Sequence, residues 1–537
     1  MTIPPANPPV DPPVDLPDSY DQVPYTSYPY PQPHPDRLHV VASLFGAHPA
    51  PVTACRVLEL GCGAGGHLLP MAELLPDSEF VGVDRSREQI ASGREIIAEA
   101  GLPNIELRHA DLMTVDATWG TFDFIVCHGV YSWVPPAVQD KILEILRTRL
   151  RPNGVGYVSY NVYPGWHLRE MVRHMMRYHV RELSDPATRV RQAKALLNFL
   201  GHNVSDQQGA YGTSLRKELA LLQALPDDYL YHEHLEDDNQ PIYFHQFAER
   251  LQQHQLQYVG ETDLQTMLAA GLSPTATETL ERIAPDLFTR EQYMDFVRNR
   301  QFRATVVCHE GIELRRELGP AAAAPLSFEY TGPLGEAPID LTPDVPHVFA
   351  GPGDVEMKTS SSVTKAALVL LARAWPMALR VDDLFARASA LVREAGLPLA
   401  PDARQTLATD LLGCCFGGGI GVRRWIPPLA TQPTERPRVS RVARAQARRN
   451  RFVASLHHQV IRIDRAQQQI IQRLDGEHDL PRLCDELADL VIADALSLTL
   501  DERPLRDREA IQAPLRHVVE QTLLRMVGQA LLLAAPA

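Results

Sequence analysis

The 537-residue sequence has no C-x-x-C pair, and its seven cysteines, Cys55, Cys62, Cys127, Cys308, Cys414, Cys415 and Cys484, are scattered and odd in number. That usage argues against a disulfide framework or a structural zinc site and suits a reducing compartment. No apolar run approaches the roughly 20 residues that span a bilayer as a helix, so no membrane insertion is expected. The first residues carry neither a basic n-region nor an apolar h-region, which makes cytoplasm the expected address. Positive charge is in deficit, 52 Lys and Arg against 66 Asp and Glu for a net charge of −14. A global attraction to nucleic acid or anionic lipid is thereby removed. What remains, 45% hydrophobic and 22% charged residues, is ordinary for a chain of roughly two to four globular domains.

The most informative stretch is Glu59-Leu60-Gly61-Cys62-Gly63-Ala64-Gly65-Gly66, directly after the apolar run Arg56-Val57-Leu58. Gly61, Gly63 and Gly66 alone satisfy a dinucleotide fingerprint that closes a strand and opens a helix, with Asp84 ending a second strand. The carboxylate of Glu59 separates the ligands. A pyrophosphate would be repelled by it, whereas the ammonium and sulfonium of S-adenosylmethionine would be attracted. Asp84 is placed to accept hydrogen bonds from ribose hydroxyls, and Asp111-Leu112, after a third strand at 105–108, to receive the adenine. The cofactor-binding set read from the sequence is Glu59, Gly61, Gly63, Gly65, Asp84, Asp111, Leu112 and Cys127.

Further strands are expected at 122–127, 155–159, 256–260 and 303–308, alternating with helices, which predicts a parallel, doubly wound sheet with its ligand at the strands' carboxyl ends. Residues 1–37 form a proline-rich arm, with 12 of the 44 prolines in the first 35 positions. Its distal tyrosines, Tyr20, Tyr25, Tyr28 and Tyr30, predict packing across the face of the nucleotide-binding domain. That domain occupies 38–320 and carries a helical insert at 168–238. A helix-turn-helix module compatible with a winged helix is expected at 321–435, and a helical domain at 436–537. Arg436, Arg438, Arg441, Arg444, Arg448, Arg449 and Arg451 lie within 16 residues, but no aromatics interleave them, so a solvated helix face is preferred to a phosphate grip. His232, Glu233, His234 and His245 do not share one helix face, and no metal site is expected.

The stretches Glu59 to Gly66, Cys127 to Pro135, Tyr160 to His167, His232 to Glu236 with Pro241 to His245, and Tyr293 to Arg303 resemble bacterial class I methyltransferases carrying a methyltransferase regulatory domain. In particular, they are similar to the rickettsial lysine methyltransferases that modify an outer-membrane protein. The resemblance implies a seven-stranded, Rossmann-like α/β fold with a regulatory segment at 225–310, methyl transfer to protein lysine, and a homodimer. One departure is His67, where the pattern leads us to expect Asn after the paired glycines.

Methyl transfer from a sulfonium is an in-line displacement that positioning accelerates, but the acceptor lysine must arrive neutral. With a reference pKa near 10.4, about 0.1% is neutral at pH 7.4. The expected acceptor site comprises His128, Tyr131 and Trp133 after the fourth strand and Asn161, Tyr163 and Trp166 after the fifth. Tyr131, Trp133 and Tyr163 are assigned as walls, Asn161 orients the amine, and His128 lies near the cofactor. A cofactor-sensing protein that contacts nucleic acid and a small-molecule methyltransferase are the other classes compatible with these residues.

Overall fold

The computed structural model describes residues 23, 25–205, 209–267, 272–334, 338–497, 499–500 and 503–535. Most of the proline-rich arm, including Tyr20, lies outside the described residues. The chain divides into two units. One comprises Leu168–Asp237 with Ser86–Gln89 and the described residues up to Thr26; the other comprises Ser27–Arg85, Ile90–His167 and everything from Asp238 on.

Helix α1 (Pro35–Leu44) precedes β1 (Arg56–Leu60), α2 (Leu68–Leu74), β2 (Glu79–Asp84), α3 (Arg87–Ala100), β3 (Ile105–His109), β4 (Phe122–Cys127), α4 (Pro136–Arg149) and β5 (Leu150–Asn161). Then come α5 (Trp166–Val180), α6 (Pro186–Asn203), α7 (Gly209–Gln223), α8 (Asp227–His234), α9 (Phe244–Gln253), β6 (Leu256–Glu261), α10 (Pro274–Ile283), α11 (Leu287–Arg298) and β7 (Phe302–His309). The strands form one sheet in the order β3-β2-β1-β4-β5-β7-β6, parallel except that β7 runs antiparallel to both neighbours. This is the seven-stranded, mostly parallel sheet that the sequence leads one to expect.

Both faces of the sheet are covered, and side chains alternate between them with the strand's period of two. Val57, Phe124, Val126, Val155 and Tyr157 join Leu38, Val41, Leu69 and Met71 in one core. Their sequence neighbours Leu58, Ile125, Cys127, Val158 and Tyr160 join Ile142, Leu146, Phe244 and Phe247 in the other. Helices α1 and α2 therefore close one face, and α4 and α9 the other. In the smaller unit α5 to α8 enclose a separate core that includes Val172, Met176, Leu197, Leu215, Leu219 and Leu230. Helix α6 starts where the Asp185 carboxylate accepts the Thr188 N–H at 2.8 Å.

The edge formed by β6, α11 and β7 is held by a buried ionic network. Arg303 is fully buried and donates to Glu261 (2.7 Å), Glu291 (3.0 Å) and both oxygens of Asp295 (2.9 Å each). Its guanidinium lies 3.9 Å from the Phe244 ring centroid. Glu261 also accepts from the Ala304 N–H at 3.0 Å and the Thr305 hydroxyl at 2.9 Å, so its charge is met from several directions.

Beyond the sheet, β8 (Ser327–Glu329), β9 (His347–Ala350), β10 (Glu356–Thr359), α12 (Ser362–Ala374), β11 (Leu379–Arg380), α13 (Val381–Glu394), α14 (Ala403–Phe416) and β12 (Gly421–Arg423) build a module with the antiparallel sheet β11-β8-β12. The last segment contains α15 (Arg441–Arg449), the hairpin β13 (Phe452–Ala454) and β14 (Val460–Arg462), α16 (Arg465–Arg473), α17 (Leu480–Ile492) and α18 (Arg508–Gly528). The arginine-rich stretch is partly consumed inside the molecule. Glu73 of α2 accepts the N–H groups of Arg441 (2.7 Å) and Val442 (2.9 Å) at the start of α15, and Arg448 and Arg449 both pair with Glu99 of α3. An anion at that helix start is favoured by the macrodipole.

Candidate active site

Strand β1 ends in Glu59-Leu60 and hands the chain to a turn in which Gly61, Gly63 and Gly65 have φ of +73°, +54° and +73°. Only glycine adopts these values readily. At Gly61 a Cβ would also come within 2.4 Å of Val130 in the loop after β4, so the turn and that loop touch. Asp84, at the end of β2, accepts the Gly63 N–H at 2.8 Å and so fixes the turn.

Glu59 is 5% exposed, and its Oε2 is buried without a hydrogen-bond partner. Burial, and then the nearby Asp84 carboxylate, hold its pKa well above the usual range. A site that forces protons onto its own carboxylate repels a further anion and is relieved by a cation or by hydroxyl donors. The residues therefore fit S-adenosylmethionine and not a diphosphate-bearing coenzyme.

The remaining cofactor candidates divide. Asp111 is exposed and already caps the short turn Leu112–Thr114, accepting the Met113 N–H at 2.8 Å; Leu112 beside it is half-buried. Cys127 is fully buried in the core, its thiol pushed up to about 12 by that burial, so its side chain does not face the crevice.

On the acceptor side, His128 follows β4 directly. Its Nδ1 lies 2.9 Å from the Tyr157 hydroxyl and 3.4 Å from Ser159 Oγ, which in turn accepts the Gly129 N–H at 2.8 Å. Burial lowers its pKa to about 4, so the ring is neutral at physiological pH. Trp133 is half-buried and meets the fully enclosed Trp166 edge-on at 6.0 Å between centroids. Tyr163 stacks on His167 at 4.1 Å and lies 5.4 Å from Tyr243. The Asn161 side chain is 5% exposed and donates to Asn239 Oδ1 at 3.1 Å.

Tyr131 is a correction. Its side chain is fully buried among Phe247 and Tyr160, with its hydroxyl accepting from Arg250 at 3.2 Å, so it packs the core and forms no wall of the crevice. Its neighbour Ser132 holds the loop instead, accepting the Asn161 N–H at 2.8 Å.

Sequence reasoning missed Phe302 and Asn239. Phe302 is 44% exposed, and its ring lies 6.3 Å from His128. Tyr30 packs on His128 at 4.2 Å, and Tyr28 lies 4.7 Å from Phe452. Of the arm's tyrosines, Tyr30 thus lies on the sheet domain, at His128, and Tyr28 meets the C-terminal segment. Ser27 accepts the Gly66 N–H at 2.9 Å, and a Cβ on Gly66 would come within 2.2 Å of the Ser27 carbonyl oxygen. Substituting Gly66→Ala is expected to expel the arm and raise hydroxyl-radical oxidation of the Tyr28 and Tyr30 rings by about twofold or more, since local opening exposes rings that packing now covers. Unchanged oxidation would show that the arm is not seated there.

Among the described residues no group of three or more His, Cys, Asp or Glu side chains is placed to hold a metal ion. His232 is occupied with Glu236 at 3.0 Å and with the Val23 carbonyl at 2.6 Å. No described helix is long and apolar enough to cross a membrane.

Residues 57–154 match a family described as "Methyltransferase domain", and 226–309 one described as "Predicted methyltransferase regulatory domain". Residues 435–531 match "PKMT, C-terminal winged helix domain". The Rickettsia prowazekii protein RP789 is 30% identical over 521 residues, 96% of this chain and 93% of that one. The solved structure of PKMT2 from Rickettsia typhi superposes with a TM-score of 0.85 at 30% identity, covering 95% of this chain and 100% of that one. The chain belongs to the PKMT methyltransferases. The same Rickettsia typhi protein in complex with AdoHcy gives a TM-score of 0.84 at 31% identity, again over 95% of this chain and 100% of that one.

For a PKMT methyltransferase with this crevice, S-adenosylmethionine is the cofactor. Glu59, the glycine turn and Asp84 are the groups that fit it. The winged-helix match falls on 435–531, the segment expected from the sequence to be a helical domain.

Proposed function

We propose that the chain transfers methyl groups from S-adenosylmethionine to lysine side chains of a protein substrate. The observation that carries this reading is the exposure of aromatic rings around the loops after β4 and β5. Phe302, 6.3 Å from His128, is 44% exposed, and in a second group Tyr243 lies 5.4 Å from Tyr163 and 6.1 Å from Phe296, which is 47% exposed. Such open aromatic surface suits a side chain presented by a macromolecule. A small-molecule site would enclose its ligand.

The cofactor supplies an electrophilic methyl group on a sulfonium, with a neutral thioether as leaving group. The chain must then deliver an uncharged amine in line with it. Phe302 and Tyr163 remove the lysine stem from water, which lowers the amine's pKa, and their faces contribute roughly 0.5–2 kcal/mol each to holding a cation. Neutral His128, with Tyr157 and Ser159, presents lone pairs and no positive charge to the incoming amine. The Asn161 amide, anchored through its Nδ2 to Asn239, leaves Oδ1 to orient an amine N–H. This arrangement and the name of the relative PKMT2 both support a lysine acceptor.

Incubating the purified chain with lysate and a deuterated methyl donor, followed by mass spectrometry, tests the reading. Label on protein lysine is expected; label on RNA or on small metabolites alone would replace the proposal. A Phe302→Ala substitution is expected to raise KM for the protein acceptor by about 2- to 30-fold, from the cation–π range above, while leaving donor affinity unchanged. A fall in donor affinity instead would place Phe302 at the cofactor.

A further inference from the structure

His67 occupies the position where the family resemblance leads one to expect Asn, and it caps α2 directly after Gly66. It is 2% exposed, and its Nδ1 lies 2.8 Å from Nε2 of His458, which is 3% exposed and sits between β13 and β14 in the hairpin of the winged-helix segment. The two rings meet edge-on at 4.7 Å. His458 has φ +62°, a left-handed conformation that non-glycine residues adopt at a cost of about 1–2 kcal/mol. Such strain persists only where the surroundings fix it.

The same hairpin meets the arm twice more. Tyr28 packs on Phe452 at 4.7 Å, and His34, 8% exposed at the start of α1, meets His458 edge-on at 5.0 Å while stacking on Trp425 at 6.1 Å. The arm's Ser27 in turn grips Gly66 through the hydrogen bond described above. Gly66 and His67, the last residue of the turn and the first of the helix cap, are thus held from two sides by parts of the chain remote in sequence. The burial that keeps His34, His67 and His458 neutral leaves one ring of the His67–His458 pair as donor and the other as acceptor, so the two tautomers are coupled and the orientation of His67 is held.

We propose that His458 is a positioning residue for cofactor binding: the winged-helix hairpin, together with the arm, forms the outer wall of the S-adenosylmethionine crevice and sets the glycine turn through His67. The winged-helix segment is on this view part of the cofactor site. The inference rests on the cofactor assignment, which binding of AdoHcy to the unmodified chain tests separately.

The experiment compares the full-length chain with its His458→Leu and His458→Gln variants by calorimetry with AdoHcy, alongside steady-state kinetics. Leucine fills the space without a hydrogen bond and is expected to weaken AdoHcy binding about tenfold and raise KM for the donor, with KM for the acceptor unchanged. Glutamine, whose amide offers His67 either a donor or an acceptor, is expected to bind within about threefold of the unmodified chain. A purely structural role would lower the active fraction without moving Kd. An unchanged Kd in His458→Leu overturns the proposal. Should that variant not fold, Tyr28→Ala carries the test: a donor affinity reduced about threefold or more supports the proposal, and an unchanged one overturns it.

Discussion

Replacing Arg303 with Met is expected to cost about 3–5 kcal/mol of local stability, the largest effect of any single substitution considered, because it leaves buried carboxylates without their cation. Glu261, Glu291 and Asp295 have side-chain exposures of 0%, 2% and 0%, and Arg300, at 11%, would remain as an ion-pair partner to Glu261 and Asp295 alone of the three. Hydrogen exchange across 256–261 and 302–309 should accelerate by about two to four orders of magnitude, the same free energy expressed as an opening constant. The loss should shrink as pH falls, since the stranded carboxyls then take up protons. Combining Arg303→Met with Glu261→Gln and Asp295→Asn should recover part of it, because an unpaired charge costs more than a neutral polar group. Exchange rates indistinguishable from those of the unmodified chain would mean that the network is not closed as described.

Glu59→Gln is expected to act with opposite signs on stability and on binding. In the cofactor-free chain Glu59 is buried beside Asp84 with an unpartnered oxygen, and its pKa lies well above the ordinary carboxyl value. A carboxyl with a raised folded pKa favours the folded state below its unfolded value of about 4.3 and loses that contribution as pH rises through the folded pKa. The amide should therefore stabilise the free protein by about 1 kcal/mol or more at pH 8, with the gain vanishing near pH 4. Affinity for S-adenosylmethionine should fall by roughly 10- to 100-fold, about 1.4–2.8 kcal/mol, since the charge that attracts the ammonium and sulfonium is gone. Thermal melts at several pH values and calorimetry check both halves. A variant that binds the donor as tightly as the parent would remove Glu59 from the site.

Much of the catalytic domain was legible because its signals are local. Strands β1 and β4 announce themselves by short apolar runs bounded by turns, and the positive φ values of Gly61, Gly63 and Gly65 match the sequence's demand for glycine there. Glu59 and Asp84 could be proposed because they stand at the carboxyl ends of β1 and β2, where this fold holds its ligand. Tyr131 went the other way for an equally local reason. Two aromatics on either side of Ser132 in a short turn, Tyr131 and Trp133, differ in burial, and only the position of Phe247 and Arg250 on α9 shows that Tyr131 belongs to the core.

The sequence by itself determined the α/β sheet, the cationic preference of the nucleotide crevice and hence the cofactor, since each depends on residue type at a spacing set by strand or turn geometry. Tertiary structure alone decided that Phe302 stands beside His128, that Asn239 anchors Asn161, that α15 spends its arginines on Glu73 and Glu99, and that His458 meets His67 across 391 residues of sequence. Such contacts arise from how separately folded elements pack, and no periodicity along the chain encodes which distant side chains that packing brings within hydrogen-bond reach.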